Sequence, residues 1–240
     1  MSSQFKPIPL SFFITPPHNC PYLKDQQSKT IFLSPEVQTN TIIYSALLEK
    51  GFRRSGEHIY RPQCENCNAC ISVRIPTDQF KMTRSQKRVY KKLSHFTTKT
   101  EPAHFNQQHF QLFDKYISTR HRDGDMYPTS THQYQDFLLC DWLECNYLNF
   151  WDISTQKLVA TCVYDVVSDG LSAVYTYFDP DYEKFSLGKL AILKLIDIAA
   201  KRNLPYVYLG YWIKESQKMS YKGDYRPLEC FVNDKWITLN

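Results

Sequence analysis

The residues best suited to chemistry in this chain fall into three groups. Cys64, Cys67 and Cys70 follow one another as Cys-x2-Cys-x2-Cys, and Cys20, close to His18, supplies a fourth sulfur. Spacing that tight suits one shared ion, either zinc in a tetrahedron of Cys and His ligands or an iron–sulfur cluster held by thiolates. A ferredoxin-type run continues with a cysteine four residues on, where Arg74 stands instead. The same sulfurs also read as reduced, unliganded thiols, the ordinary state of cysteine in a reducing compartment. The second group is basic: Arg84, Lys87, Arg88, Lys91 and Lys92 fall on the opposite side of a helical segment from Val89, Leu93 and Phe96. Like charges three and four residues apart repel along a helix, so this face suits either a polyanion or plain solvent. The third group is Lys214, Lys218, Lys222 and Arg226, recurring every four residues and interleaved with Tyr221 and Tyr225. Its cations suit a phosphate or a carboxylate.

Composition narrows the setting for these groups. The chain has 240 residues, 42% hydrophobic and 15% aromatic, with only 7 Gly, which excludes a disordered polymer and fits two small packed modules or one domain with an insertion. Its 17 Tyr and 15 Phe suit core and sheet packing first and base stacking second. The net charge of +5 is unevenly spread: Lys81 to Arg122 carries ten Lys/Arg against Glu101 and Asp114, leaving about −3 for the rest. A local basic face concentrates polyanions near it. No apolar run reaches the ~18 residues of a membrane span, and the segment Met1–Pro17 holds only a short apolar stretch broken by proline, without a clear cleavage site. The expectation is a cytoplasmic protein with no membrane partner. Cys140, Cys145, Cys162 and Cys230 lie in apolar contexts and read as small core thiols.

The elements that must position these residues change character along the chain. TIIYSALLEKG predicts a helix stopped by Gly51, and the strands HIYRP and ISVRI bracket the cysteine loop. A basic amphipathic helix is predicted over Arg84 to Phe96, with two more from about Asn106 to Arg120 and from about His132 to Trp142. Next come three strands, YLNFWDIS, KLVATCVYDVVS and LSAVYTYFDP, the last two joined at Asp169-Gly170, a strong hairpin signal. A helix from Gly188 to Asn203 and the strand PYVYLGYW complete the order β-β-β-α-β, which is similar to that of a GCN5-related N-acetyltransferase core. The fold class read from this is α+β, with a GNAT-like carboxy-terminal core and an amino-terminal cysteine-containing α+β region. The division falls at 1–104, carrying the cysteines and the basic helix, and 105–240, the GNAT-like transfer domain.

Two blocks in different halves carry a family resemblance. YRPQCENCNACISVRI with the following TRSQKR resembles the amino-terminal signature of the arginyl/leucyl-tRNA–protein transferases. YFDPDYEKFSLGKLAILKLI and YVYLGYWIKESQKMSYKGDYRPLE resemble the carboxy-terminal signature, and RHRDGDMYPTS the central segment. The resemblance implies transfer of an amino acid from aminoacyl-tRNA to a protein's α-amine, marking that protein for degradation. The compact length favours the bacterial branch, which moves leucine from leucyl-tRNA onto N-terminal Asp or Glu. In eukaryotic relatives amino-terminal cysteines are linked to a metal or cluster site, and Cys20 and Cys70 stand in comparable regions.

Such a reaction needs juxtaposition of an activated ester with a neutral amine, not a nucleophilic Ser or Cys, and it requires no cofactor. Zinc or an iron–sulfur cluster on Cys20, Cys64, Cys67 and Cys70 is then an added expectation. Asp179, ending a strand in YFDP, is the candidate to orient or deprotonate the amine, with Tyr177 beside it as a second catalytic candidate; Asp179 also reads as a turn cap before Pro180. Ser186 and Gly188 in SLGKLA open a helix whose N-terminus suits an anion, assigned by the resemblance to the aminoacyl-adenosine end of tRNA. Arg84, Lys87 and Arg88 are candidates for tRNA phosphates. Lys218, Tyr221, Lys222, Tyr225 and Arg226 are candidates for phosphate or the acceptor's acidic side chain. Arg74, Arg84 and Arg226 are the fork-shaped cations available to read that side chain. Two other classes remain open at this level: a CoA-dependent N-acyltransferase, whose pyrophosphate loop is incomplete here, and a non-enzymatic RNA-binding or redox-sensing module.

Overall fold

The computed structural model of the protein describes residues 9–239; residues 1–8 of the N-terminal segment lie outside them. The chain opens with β1 (Phe12–Ile14), β2 (His18–Asn19), β3 (Gln27–Ser28) and β4 (Thr30–Leu33), then α1 (Thr41–Glu49), β5 (Arg53–Ser55), β6 (His58–Pro62) and β7 (Ile71–Pro76). Helix α2 (Arg84–Lys91) runs through a 3-10 turn at Lys92–His95 into β8 (Phe96–Pro102), and α3 (Gln107–Arg120) and α4 (Thr131–Leu138) follow. The second half holds β9 (Cys145–Asp152), β10 (Leu158–Val167), β11 (Gly170–Phe178), α5 (Leu187–Lys201), β12 (Tyr206–Trp212), β13 (Leu228–Val232) and β14 (Lys235–Leu239). No described helix is long and apolar enough to cross a membrane.

Local chemistry explains the helix ends. The Asn40 side chain accepts a hydrogen bond from Ile43 N at 3.0 Å to start α1, and Gly51, at φ +80°, ends it in a conformation that a Cβ disfavours. Thr83 and Gln86 form a reciprocal capping box at the start of α2. That helix stops short of Phe96, contrary to the apolar periodicity. Phe96 instead opens a strand whose Thr97, Thr98 and Thr100 favour extended backbone and pair with β9 at the sheet edge.

Eight strands form one sheet in the order β14-β13-β7-β12-β11-β10-β9-β8. Strands from both sides of residue 104 share it, with β7 between β13 and β12. Smaller sheets, β1-β4-β6-β5 and β2-β3, cover the amino-terminal region, so the architecture is α+β. On one face of the large sheet, Leu190, Leu193 and Leu195 of α5 pack with Val73, Ile75 and Val207. Elsewhere Phe113 and Ile117 of α3 meet Tyr147, Val163 and Tyr177, while Tyr44 and Leu48 of α1 meet Ile59 and Tyr208. Each fully buried aliphatic or Phe side chain contributes roughly 1.5–3 kcal/mol relative to exposure.

The parallel pair β11–β12 breaks the antiparallel pattern and soon separates. Gly170, Leu171 and Ser172 pair with Tyr206, Val207 and Tyr208, and there the ladder ends. Beyond that point β11 continues along β10, whereas β12 bulges near Gly210 and continues along β7. The result is a fork within the sheet.

Candidate functional site

A strand fork leaves backbone carbonyls without ladder partners, and each must find another donor. Two buried cations serve here. Arg53, at the start of β5, donates from Nη2 to Ala173 O at 2.5 Å, the first residue of β11 beyond the paired stretch. Its guanidinium lies against Gly210, whose φ of +78° suits glycine and where a Cβ would stand 3.3 Å from Arg53 Nε. Lys222, in the 3-10 turn Ser220–Asp224, donates to Tyr211 O on β12 at 2.6 Å. Burial pushes the Lys222 ammonium down to about 7, the nearby Arg53 charge adds to this, and Cys70 opposes it. Neither cation has a carboxylate partner among the described residues. Arg53 Nη1 is buried without any hydrogen bond, as is Ser72 Oγ, whose residue pairs with Tyr211 across the β7–β12 ladder.

Beside Tyr60 and Tyr211 lies a cavity of about 530 Å³, lined also by Ile213, His18 and the four amino-terminal cysteines but not by Arg53 or Lys222. All four cysteines line this one cavity, so the sequence's grouping of these residues holds in space, and burial raises the Cys70 thiol to about 12 with smaller contributions from Cys20, Cys64 and Cys67. Cys64 Sγ donates to Ser28 Oγ at 3.6 Å. No three His, Cys, Asp or Glu side chains among the described residues are grouped to hold one ion, however. The expectation of zinc or an iron–sulfur cluster at Cys20, Cys64, Cys67 and Cys70 is therefore not supported by the side-chain arrangement, and no chemical step is routed through one. Cys140, Cys145, Cys162 and Cys230 are buried.

The remaining candidates are dispersed. Asp179 caps the turn Pro180–Phe185 by accepting from Asp181 N at 3.0 Å, and its Oδ1 accepts from Lys115 at 2.6 Å. Tyr177 is fully buried between α3 and the sheet, its hydroxyl 2.8 Å from that of Tyr134, and burial drives its phenol well above the ordinary range. A group so enclosed is placed for packing rather than for contact with substrate. Arg74 is buried as well: Nε donates to Glu229 at 2.6 Å, Nη1 to Glu49 and to Tyr208 Oη at 3.0 Å, and its guanidinium lies 3.5 Å from the Tyr206 ring centroid. These partners occupy the fork that an acidic ligand would need.

Helix α2 keeps the character read from its pattern. Arg84, Lys87 and Arg88 are exposed, while Gln86 points inward and donates to Asp224 O at 3.2 Å. Lys189 near the start of α5 reaches the Asp224 carboxylate at 3.3 Å, so α2, the α5 start and the 3-10 turn adjoin. Ser186 stands in the left-handed region immediately before α5, and nothing lies within 4 Å of where a Gly188 Cβ would be. The helix entrance is open on that side. The four-residue recurrence does not make one face. Lys214 and Lys218 are exposed, Lys218 lying 3.8 Å from Asp123, whereas Lys222 is buried and Arg226 donates to Tyr225 O at 3.1 Å. Tyr221 is exposed; Tyr225 is buried, with its hydroxyl unpartnered. Sequence reasoning missed Arg53 altogether. The available signal was a pair of arginines in GFRRSG, between a helix stop and a strand, where ordinary surface residues would also fit.

Comparison with known proteins covers nearly the whole chain. Residues 18–88 match the family described as "Arginine-tRNA-protein transferase, N terminus", and residues 108–232 match its "C terminus" counterpart. The chain is 49% identical over 230 residues to an "Aspartate/glutamate leucyltransferase" of Hahella chejuensis, covering 96% of this chain and 97% of that protein. It is 46% identical over 231 residues to proteins of the same name from Pseudomonas putida and Teredinibacter turnerae, covering 96% of this chain and 97% and 95% of theirs. Among solved structures, L-PGS from Bacillus licheniformis is similar at a TM-score of 0.46 and 11% identity, over 60% of this chain and 47% of that one. FemX is similar at a TM-score of 0.45 and 9% identity, over 80% and 65%.

Proposed function

We infer the reaction from one premise: this chain belongs to the arginine-tRNA–protein transferase family. It is an aminoacyl-tRNA–protein transferase that moves leucine from leucyl-tRNA to the α-amine of proteins beginning with Asp or Glu, marking them for degradation. The observation that carries this is near-complete alignment, at 46–49% identity, with relatives named for that reaction. In the step itself the acceptor's neutral amine attacks the leucyl ester carbonyl. The tetrahedral adduct collapses, the bond to the 3′-terminal ribose oxygen breaks, and the proton lost by nitrogen ends on that oxygen. An α-amine with an ordinary pKa of about 7.7–8.0 is substantially neutral near pH 8, so positioning and oxyanion stabilisation are the main demands. The family chemistry requires no group beyond the two substrates.

The assignment of parts follows from exposure and charge. The exposed Arg84, Lys87 and Arg88 of α2 are placed for tRNA phosphates, and the adjoining α5 entrance at Ser186 and Gly188 for the aminoacyl-adenosine end. The GNAT-like reading of 105–240 is supported by the β9-β10-β11 meander, the α5 crossover, the parallel return of β12 and the fork that follows. The four amino-terminal cysteines and α2 belong to 1–104, while the cavity beside the cysteines is lined from both parts. Asp179, held by Lys115, is assigned to shaping the turn into α5, and Tyr177 to the core. A CoA-dependent acyltransferase is the alternative that the fold order leaves open.

The deciding experiment offers leucyl-tRNA, arginyl-tRNA and acetyl-CoA in parallel, each with a peptide beginning with Asp. Radiolabel is expected on the peptide only from leucyl-tRNA, and acetyl transfer without leucine transfer overturns the reading. Replacing Arg84, Lys87 and Arg88 together by Ala is expected to weaken tRNA binding and reduce the slope of log affinity against log salt by about 2–3. An unchanged slope removes α2 from the tRNA face.

A further inference from the structure

Four buried cations lie in or beside the large sheet, and they divide into two kinds. Arg54 is satisfied by Asp165, with Nε–Oδ2 at 2.8 Å and Nη2–Oδ1 at 2.6 Å, and Arg74 is satisfied by Glu229 and Glu49. Arg53 and Lys222 have only backbone carbonyls and a Met219 sulfur as acceptors, and no carboxylate among the described residues. Burying charge without a counterion is costly, and two neighbouring uncompensated cations repel. The backbone needs of the fork do not explain the pair. A neutral donor would satisfy Ala173 O and Tyr211 O equally well, and Arg53 Nη1 is buried with nothing to bind.

We propose that Arg53, with Lys222 beside it, receives the carboxylate of the acceptor protein's first side chain, and so selects Asp and Glu. This rests on the leucyl-transfer reading and names the specificity element of that site. The guanidinium fork matches a planar carboxylate, with Nη1 as its unused donor. Access is from the cavity lined by Tyr60, Tyr211 and Cys70: Tyr60 pairs with Arg53 across the β5–β6 ladder and the Tyr211 carbonyl accepts from Lys222, so the carboxylate passes between these two tyrosines to reach the cations, which do not themselves line the cavity. Its volume of about 530 Å³ accommodates the first residues of a peptide. A tRNA phosphodiester fits this position poorly. It carries a ribose on each side and suits an open, wet surface, whereas Arg53 is only 6% exposed. The open surface with free cations is α2.

The test measures kcat/KM for leucine transfer to four peptides beginning with Asp, Asn, Glu or Gln, using the parent, Arg53→Gln and Arg53→Lys. Arg53→Gln is expected to lose about 100-fold or more on Asp and Glu, bringing their preference over Asn and Gln close to unity. Arg53→Lys should recover part of that preference. Unchanged preference in a folded Arg53→Gln protein overturns the proposal. So does a loss that appears as weaker tRNA binding with the preference intact, which assigns the pair to phosphate. Should Arg53→Gln fail to fold, the parent protein without tRNA is titrated with Asp-Ala amide and Asn-Ala amide. The acidic dipeptide alone should raise Tm in a concentration-dependent way, and equal response to both overturns the assignment. If the parent transfers leucine to no peptide, the functional reading fails, while the dipeptide titration still reports on the carboxylate site.

Discussion

Arg53 and Arg54 are neighbours on one short strand and equally buried, yet the fold treats them differently. Arg54 meets a carboxylate head-on, and the side chains of both Arg54 and Asp165 are 0% exposed. Carbonyls of Gly56 and Leu138 take further Arg54 hydrogens at 3.2 Å. This is a closed electrostatic unit that ties β5 to β10 and to the end of α4. Arg53 and Lys222 form an open unit at a place where the sheet itself divides. The difference separates charge used to hold the fold together from charge held in readiness for a ligand, although all three residues look alike by type and burial.

The comparison is most severely tested by breaking the closed unit. Arg54→Leu leaves Asp165 buried and unpaired, and is expected to cost about 3–5 kcal/mol in urea unfolding. The preference for Asp over Asn in whatever protein remains folded should be unaltered. A loss of preference matching that of Arg53→Gln erases the distinction between the two units. Gly210→Ala comes next: a Cβ at positive φ costs about 1–2 kcal/mol and presses on the Arg53 guanidinium. Selection of acidic acceptors should fall along with stability, and full selectivity in this variant places the Arg53 position outside the recognition site.

Lys222→Met sharpens the comparison from the opposite side. Removing an uncompensated buried charge offsets the cost of leaving Tyr211 O without its donor, so stability should stay within about 1 kcal/mol of the parent while transfer to acidic acceptors drops. A clear loss of stability would show that Lys222 belongs with Arg54 as a structural cation. The smallest effect concerns a buried group that avoids charge altogether. His109 stacks on Tyr147 at 4.4 Å and bonds Asn149 Oδ1 at 3.1 Å, and Glu101 lies 4.0 Å away. Burial holds its imidazole below the ordinary value of 6.5, against the pull of Asn149 and Glu101 and with a small push from His104. The unfolded chain therefore takes up the proton first as pH falls. This contribution to stability is present above about 6.5 and declines below it, through the lower folded value. Urea midpoints followed downward from neutral pH should fall less steeply in His109→Phe than in the parent, and identical slopes remove His109 as a source of acid sensitivity.

Much of the fold was legible because local signals agreed with the final packing. The Asp169-Gly170 turn, the α5 periodicity and the Gly51 stop each depend on nearby residues, and each element stands within a few residues of its reading. β8 and the strands β1 to β5, β13 and β14 were not read, for a common reason. They are short or mixed in polarity, and several lie at sheet edges, where one ladder partner suffices and alternation is weak. The exposed basic face of α2 was legible from its spacing. The series from Lys214 to Arg226 misled because a four-residue recurrence makes one face only on a helix, and this segment is a bend followed by a 3-10 turn.

By itself the sequence determined the family, the order of the principal elements and the clustering of four cysteines, since these are properties of residue type and separation. It also marked α2 as a cationic face. Only the tertiary structure decided which cations are spent and which are free. Arg74 finds Glu229 from 155 positions away, and Arg54 finds Asp165 from 111, whereas Arg53 reaches only a backbone carbonyl. Counterion pairing depends on distance in space, and no pattern along the chain carries it.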